Sequence, residues 1–188
     1  VPEIDVIPNL DICDDANDAD DTNGFVQSID LESHTPIILG TQDPTNFTVT
    51  YHSSESDAIS GSSSLSSPFT NTTVDQQTIY VRVINNSTGC LVDRLSFDVV
   101  INPLPIITDA VELKQCDDDT DGFSLFNLNE AATDISTNYL NETFVFYPSL
   151  VDAENDTNAF TAAETLVFEN RTETIDTVWA RAISSENC

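Results

Sequence analysis

The densest group of residues that could do chemistry in this sequence is an acidic loop in its second half. Asp117, Asp119 and Asp121 occupy alternate positions there, and Gly122 follows directly. Calcium ions favour such clustered oxygen ligands, and the glycine lets the chain turn tightly around the ion. We therefore predict that these three aspartates bind Ca2+. The alternative is a solvated acidic turn, because Leu128 stands where a complete EF-hand loop carries its bidentate glutamate.

A second acidic loop lies near the start of the sequence, between Cys13 and Gly24. From the preceding cysteine to the glycine it is five residues longer than the loop around Asp119, and Ala19 stands where the shorter loop has its first aspartate. We predict a second calcium site here with a different wrapping, and the alternative is again a solvated turn. Its candidate ligands are Asp14, Asp18, Asp20, Asp21 and Asn23.

Both loops belong to a longer pattern that occurs twice. Each copy begins with a proline and an extended stretch, continues through a cysteine and its acidic loop, and later reaches an aromatic strand with one arginine. These strands are Tyr80–Val83 in the first copy and Trp179–Ala182 in the second. An internal repeat of this length outranks local signals when domains are assigned. We therefore predict two domains, residues 1–104 and 105–188, each large enough for its own core.

Each copy also contains two cysteines. They are 77 positions apart in the first copy and 72 in the second, and the difference equals the extra length of the first acidic loop. This symmetry favours one disulfide per repeat, Cys13 with Cys90 and Cys116 with Cys188, out of three pairings that are open in principle. Such bonds indicate an oxidising, extracellular location. The alternative is four reduced, buried cysteines, since zinc-site spacings are absent.

The composition excludes several kinds of partner. With 33 acidic and 5 basic residues the net charge is -28, which argues against binding nucleic acid or an anionic membrane surface. No apolar stretch reaches the length of a membrane span. Yet 39% of the residues are hydrophobic, and they fall in short alternating runs that are typical of folded chains rather than disordered ones.

The alternating runs predict an all-β fold. They are rich in β-branched and aromatic residues, and Pro, Gly, Asn and Asp bound them. We predict two tandem immunoglobulin-like β-sandwiches, the second truncated before its last strand, and we expect the chain to be part of a longer repeat array. Weak edge strands are predicted between Ile59 and Thr70, a further strand at Ile106–Gln115, and a short helix at Asn129–Thr137 with Asn129 as its cap.

Catalysis finds little support in the sequence. There is no nucleophile elbow, phosphate loop or metalloprotease motif, so we expect no enzyme. Arg82 and Arg181, which stand at equivalent positions, are expected to pair with carboxylates. Trp179 takes the place of Tyr80 on the same face of the equivalent strand in the second copy, which is typical of packing, although an exposed tryptophan could stack on a sugar ring.

Several motifs together resemble repeats in large surface proteins of flavobacteria and other Bacteroidota. The resemblance covers essentially the whole chain and is carried by the Cys-acidic-Gly-Phe loop at 116–123, Phe126-Asn127-Leu128, Phe146-Tyr147-Pro148-Ser149, Asp152-Ala153, the aromatic strand with its arginine and the final cysteine. Proteins of this kind commonly carry a type B sorting domain for the type IX secretion system, and many are adhesins, some linked to gliding motility.

The resemblance implies a non-catalytic, surface-displayed repeat that acts as an adhesin stalk or adhesive unit. Its partners would be neighbouring repeats, an unidentified receptor or glycan, and the type IX secretion machinery. One alternative function is a carbohydrate-binding module of a secreted protein, motivated by Trp179. Another is a secretion substrate seen bound to its export machinery.

Overall fold

The computed structural model describes residues 1–15 and 20–188 and divides them into two units, Val1–Leu104 and Pro105–Cys188. Unit 1 contains a four-stranded sheet built from β1 Leu10–Cys13, β2 Phe47–His52, β3 Gln76–Asn85 and β4 Leu91–Asn102. The order in the sheet is β1-β4-β3-β2, and only β1 and β4 run parallel. Among the described residues no helix is long and apolar enough to cross a membrane.

The core of unit 1 follows from the alternation along its two longest strands. In β3, Ile79, Val81 and Val83 are fully buried, and the residues between them are less so. They pack in one cluster with apolar residues of β4 and of the segments that cover the sheet. The covering layer includes an antiparallel bridge between Ile29 and Phe69, so the unit is layered like a sandwich.

Short helices connect the strands of unit 1. They are two 3-10 helices, Leu31–His34 and Pro44–Asn46, and two α-helices, α1 Thr35–Leu39 and α2 Glu55–Ser60. Helix α2 begins where Ser54 accepts a hydrogen bond from the Asp57 amide and ends at Gly61. Helix α2 overlaps only Ile59 and Ser60 of the region where edge strands were predicted, and within that region only Phe69 forms a strand bridge, with Ile29.

Unit 2 repeats this plan with shorter strands. Strand β6 pairs with β8 as β2 pairs with β3, and the β5–β7 pair corresponds to the Ile29–Phe69 bridge. Its core contains Leu128, Ile135 and Phe146, among others. The elements are β5 Leu125–Phe126, α3 Ala132–Ile135, β6 Thr143–Tyr147, α4 Leu150–Asn155, α5 Ala162–Leu166, β7 Phe168–Glu169, β8 Trp179–Ile183, and the 3-10 helices Leu128–Ala131 and Tyr139–Asn141.

The structure is mostly β with a few short helices, which confirms the predicted all-β class with two tandem repeats. Two further local predictions differ from the structure. The strand predicted at Ile106–Gln115 is not formed in the structure. The predicted helix at Asn129–Thr137 is present as a 3-10 turn that continues into α3, but its cap is Asn127, whose side chain accepts a hydrogen bond from the Asn129 amide.

Candidate metal loops and cysteine positions

The acidic loop of unit 2 is organised around Asp117. One carboxylate oxygen of Asp117 accepts hydrogen bonds from the Thr120 and Asp119 amides at 2.8 and 3.2 Å, and the other accepts from the Gly122 amide at 2.7 Å. Thr120 and Gly122 have positive φ angles of 68° and 85°, which wrap the chain around this side chain. The hydrogen bond from the Gly122 amide is the main cause of a lowered pKa at Asp117.

Three neighbouring carboxylates meet in this loop. Asp117, Asp118 and Asp119 each place one oxygen within 4.8 Å of the others, and all three residues are exposed. The Asp121 amide donates to Asp119 and lowers its pKa, but repulsion from the Asp121 carboxylate, partial desolvation and repulsion from Asp117 act in the opposite direction, and the net pKa of Asp119 is raised. The structure thus groups two of the predicted ligands with Asp118, which was not predicted.

The third predicted ligand of this loop lies outside the group. Asp121 accepts a hydrogen bond from the Phe123 amide at 2.8 Å, in the way that Asn23 accepts from the Phe25 amide in unit 1. Each of these side chains therefore holds the residue two positions ahead, which starts the extended segment after the loop.

The longer loop of unit 1 is organised around Asp14 in the way that the shorter loop is organised around Asp117. Asp14, which is 3% exposed, accepts hydrogen bonds from the Asp15 and Gly24 amides, both at 2.8 Å. Asp14 therefore takes the place of Asp117, and the five additional residues lie between this anchor and the glycine. Asp18 lies outside the described residues, and no group of three metal-ligating side chains occurs in the described part of this loop.

The other two predicted aspartates of this loop have separate positions. Asp20 accepts hydrogen bonds from the amide and the hydroxyl of Thr22 at 3.1 and 3.0 Å. Asp21 is exposed, and its backbone carbonyl accepts from the Leu104 amide at 3.3 Å. Both side chains lie on the outer part of the loop, where water can reach them.

One pair of equivalent residues that the sequence analysis missed closes both loops. The Asn71 side chain accepts a hydrogen bond from the Val26 amide and donates to the carbonyls of Gly24 and Thr73, at 2.7 to 2.9 Å. Asn170 makes the corresponding three bonds in unit 2. The repeated pattern Phe-x-Asn-x-Thr at 69–73 and 168–172 was the available signal. We call Asn71 and Asn170 the asparagine clamps.

The two equivalent arginines hold the helix that follows the second strand of each repeat. Arg82 donates to the carbonyls of Ala58 and Ile59 at the end of α2, both at 2.9 Å, and lies 3.7 Å from Asp93. Arg181 pairs with Asp156, the capping residue of α4, at 3.2 Å. The arginines thus contact carboxylates in the structure, with Arg82 also capping a helix end.

The cysteines do not form the predicted pairs. Cys13 and Cys188 are disulfide-bonded, whereas Cys90 and Cys116 are free and exposed thiols, so neither bond within a repeat is formed. Unit 1 shows why. Cys13 lies opposite Asn102 at one end of β4, and Cys90 directly precedes Leu91 at its other end. A strand of that length separates the two cysteines by about 35 Å, far beyond the reach of a disulfide.

A family model supplies an identity that fits this arrangement. The model for the Flavobacterium inter-domain disulphide bond domain matches residues 9–105 and again 112–188. Comparisons with curated proteins and with solved structures found no match. The two matched segments cover most of the chain and coincide with its two repeats. The chain belongs to the Flavobacterium inter-domain disulphide bond domain family and carries two copies of that domain.

Proposed function

We propose that this chain is a non-catalytic structural segment of an extracellular cell-surface protein, in which disulfides join successive repeats and calcium stiffens the acidic loops. The observation that carries the proposal is the placement of Cys13 and Cys90 at opposite ends of the unit 1 sheet. A repeat with a cysteine at each end can be bonded to a neighbour on either side but cannot bond to itself. The name of the family, which refers to a disulphide bond between domains, supports the same interpretation.

The use of the polar side chains supports a scaffold role. The side chains that are best placed for chemistry, Asp14, Asp117 and the asparagine clamps, are engaged with backbone amides and carbonyls in both repeats. The arginines likewise hold helix ends. Side chains that hold the backbone of loops are poorly placed to activate a substrate, which agrees with a structural module in a fibre rather than an enzyme.

The calcium part of the proposal rests on the Asp117 loop. Asp117, Asp119 and Gly122 occupy the first, third and sixth positions of a calcium-loop pattern, and the bond from the Gly122 amide to Asp117 orients the first ligand. Asp118 supplies a third nearby oxygen. Repulsion from the Asp121 and Asp117 carboxylates contributes to the raised pKa of Asp119, and a divalent cation would relieve this repulsion.

We expect millimolar Ca2+ to raise the thermal midpoint of the protein by several degrees, because an ion that binds only the folded state stabilises it. Asp119→Ala should abolish the shift while leaving the calcium-free midpoint almost unchanged, since the hydrogen bond that the Asp119 carboxylate accepts from the Asp121 amide is long, at 3.3 Å. Asp117→Ala should abolish the shift and also lower the calcium-free midpoint, because Asp117 holds three amides.

Glu154→Ala, which removes an exposed carboxylate on α4, is the matched control and should retain the full calcium shift. Differential scanning calorimetry in chelator and in calcium measures all four proteins. If calcium does not raise the thermal midpoint of the unmodified protein, the acidic loops are solvated turns and the calcium part of the proposal is wrong.

The free thiols give a second test. If Cys90 and Cys116 are free within the chain, Cys90→Ser and Cys116→Ser should leave the free energy of unfolding unchanged within about 0.5 kcal/mol. A bond that closed a loop of more than 70 residues within a repeat would instead contribute about 4 kcal/mol, which each substitution would remove. Urea unfolding under non-reducing conditions distinguishes the two cases.

The location and the partners belong to the same proposal. Disulfides between repeats require an oxidising compartment, which favours display outside the cell. The resemblance to Bacteroidota surface proteins adds export by the type IX secretion system and a role as adhesin stalk. The partners are then neighbouring repeats, the secretion machinery and a receptor or glycan bound by the parent protein.

A carbohydrate-binding module is the second candidate, and one observation favours it. Trp179 is 40% exposed, which leaves an aromatic surface that could stack on a sugar ring. Glycan-array binding that is lost in Trp179→Ala would support this candidate, whereas an array without any bound glycan would remove it.

A further inference from the structure

Two of the five glycines follow an asparagine or an aspartate, and both are the glycines that close the acidic loops. They form the pairs Asn23-Gly24 in unit 1 and Asp121-Gly122 in unit 2. A side-chain amide or carboxyl before glycine is open to attack by the backbone nitrogen of that glycine, because glycine has no Cβ atom to hinder the approach. The chain therefore carries a reactive pair at the same point of both repeats.

The reaction at Asn23 consumes only water. The backbone nitrogen of Gly24 forms a bond to the side-chain carbonyl carbon of Asn23, and ammonia leaves with the proton of that nitrogen as a cyclic succinimide closes. A water molecule then opens the ring at either carbonyl, which gives aspartate or isoaspartate. In isoaspartate the main chain runs through the side-chain carbon and is longer by a CH2 group. At Asp121 the same ring closes with loss of water, and its hydrolysis takes the water back.

In the folded chain both reacting groups of unit 1 are held by other partners. The Gly24 amide donates to a carboxylate oxygen of Asp14 at 2.8 Å, and both residues are buried. The Gly24 carbonyl accepts from the Asn71 side chain at 2.8 Å. The Asn23 side-chain oxygen accepts from the Phe25 amide, also at 2.8 Å. The loop therefore has to open before the Gly24 nitrogen can form a bond to Asn23.

Unit 2 holds its reactive pair through the same contacts. The Gly122 amide donates to Asp117 at 2.7 Å, and the Gly122 carbonyl accepts from the Asn170 side chain at 2.8 Å. The Asp121 side chain accepts from the Phe123 amide at 2.8 Å. These contacts are retained although the two loops differ in length by five residues.

We propose that Asn23 is a self-modification site that the hydrogen bond from Gly24 to Asp14 keeps inactive while the loop is closed, and that Asp121 is its counterpart in unit 2. Opening of the first loop then becomes a permanent covalent change, because neither aspartate nor isoaspartate returns to asparagine. The longer main chain of isoaspartate also displaces the following residues from the asparagine clamp of unit 1.

The test follows this conversion in the intact, oxidised protein at neutral pH, in chelator and well below the thermal midpoint. Tandem mass spectrometry of the peptide that contains Asn23 measures loss of the amide, and enzymatic methylation detects isoaspartate. The folded protein should convert Asn23 at least about tenfold more slowly than the protein in urea, since breaking a hydrogen bond to a charged group costs at least that factor in the population of the open loop.

Asp14→Ala removes the partner of the Gly24 amide and should speed conversion of Asn23 in the folded protein by about 10- to 100-fold. In urea the variant and the unsubstituted protein should react at the same rate, because residue 14 is remote in sequence from the reactive pair. Asp14→Asn keeps an acceptor oxygen without the charge, and its rate should lie between the two. Far-UV circular dichroism checks that the variants are folded.

Two matched controls use the same loops. Asp21→Ala removes an exposed carboxylate beside Asn23 and should leave its conversion rate unchanged. Asp117→Ala should speed isoaspartate formation at Asp121 without changing the rate at Asn23, since it removes the partner of the equivalent glycine amide in unit 2.

The proposal fails if the folded protein converts Asn23 as fast as the protein in urea. It also fails if folded Asp14→Ala reacts at the rate of the unsubstituted protein, or if Asp21→Ala speeds the reaction as much as Asp14→Ala does. Because the measurements are made in chelator and with the cysteine bonds intact, their outcome is independent of the calcium and disulfide parts of the proposed function.

Discussion

Asn71→Ala is expected to lower the free energy of unfolding of unit 1 by about 3 kcal/mol, because buried polar groups that lose their partners each cost about 1 to 3 kcal/mol. Asn71 is 2% exposed and makes three hydrogen bonds to backbone groups on both sides of the Gly24 turn. Alanine leaves the buried Val26 amide and two carbonyls without this partner. Urea unfolding followed by circular dichroism measures the loss.

The matched control for this clamp is Asn86→Ala in the same unit. Asn86 is exposed, and its side chain bonds only to Thr48 and to the carbonyl of Thr45 near the surface, so the expected loss is below about 1 kcal/mol. Asn170→Ala should reproduce the large effect in unit 2, with Trp179 fluorescence as the reporter. If both substitutions lowered the free energy of unfolding by the same small amount, Asn71 would not stabilise the loop as described.

Gly24→Ala is expected to destabilise unit 1 by about 2 to 4 kcal/mol, since it combines backbone strain with a steric clash. Gly24 has a φ angle of +74°. A Cβ atom there would lie 2.2 Å from a carboxylate oxygen of Asp75 and 2.7 Å from its backbone nitrogen. The side chain could rotate away, but the backbone nitrogen belongs to the residue that leads into β3 and could not.

Gly89→Ala separates these two causes. Gly89 has a similar φ angle of +70°, but a Cβ atom there would meet nothing within 4 Å. Its expected cost is the backbone term alone, about 1 kcal/mol. Thermal unfolding of the two variants in parallel gives the contribution of the close contact by difference. Equal costs would show that the Gly24 turn has room to adjust.

The strands that bury one face were predictable from sequence, because alternation of β-branched residues is a local signal. The alternating runs around Val81 and Val99 form β3 and β4. The strand predicted before Cys116 is not formed, and its counterpart in unit 1, β1, is held by a non-local parallel partner, β4, which residues close in sequence do not reveal.

The acidic loops show where loop chemistry can be deduced and where it cannot. The alternating carboxylates identified the Asp117 loop, but counting back from the glycine gave Ala19 as the first position in unit 1. The structure instead uses Asp14 from beyond the insertion, because the residue next to the strand end keeps its place when a loop lengthens. The asparagine clamps lie 47 and 48 positions after their glycines, so only the repeated Phe-x-Asn-x-Thr pattern could have revealed them.

The disulfide prediction failed for a geometric reason that spacing cannot reveal. Equal spacing within two repeats is compatible with bonds inside each repeat and with bonds between repeats. The choice depends on which end of the sheet each cysteine occupies. In unit 1 the parallel pairing of β1 with β4 places Cys13 at the end of β4 that is remote from Cys90.

The most direct test of the central claim, that the cysteines join repeats rather than close them, is peptide mapping of the oxidised protein without reduction. Free thiols are first blocked by alkylation, the protein is then digested, and the linked peptides are identified by mass spectrometry. The account predicts alkylated Cys90 and Cys116, with Cys13 and Cys188 protected until reduction. A peptide pair that links Cys13 to Cys90, or Cys116 to Cys188, would contradict it.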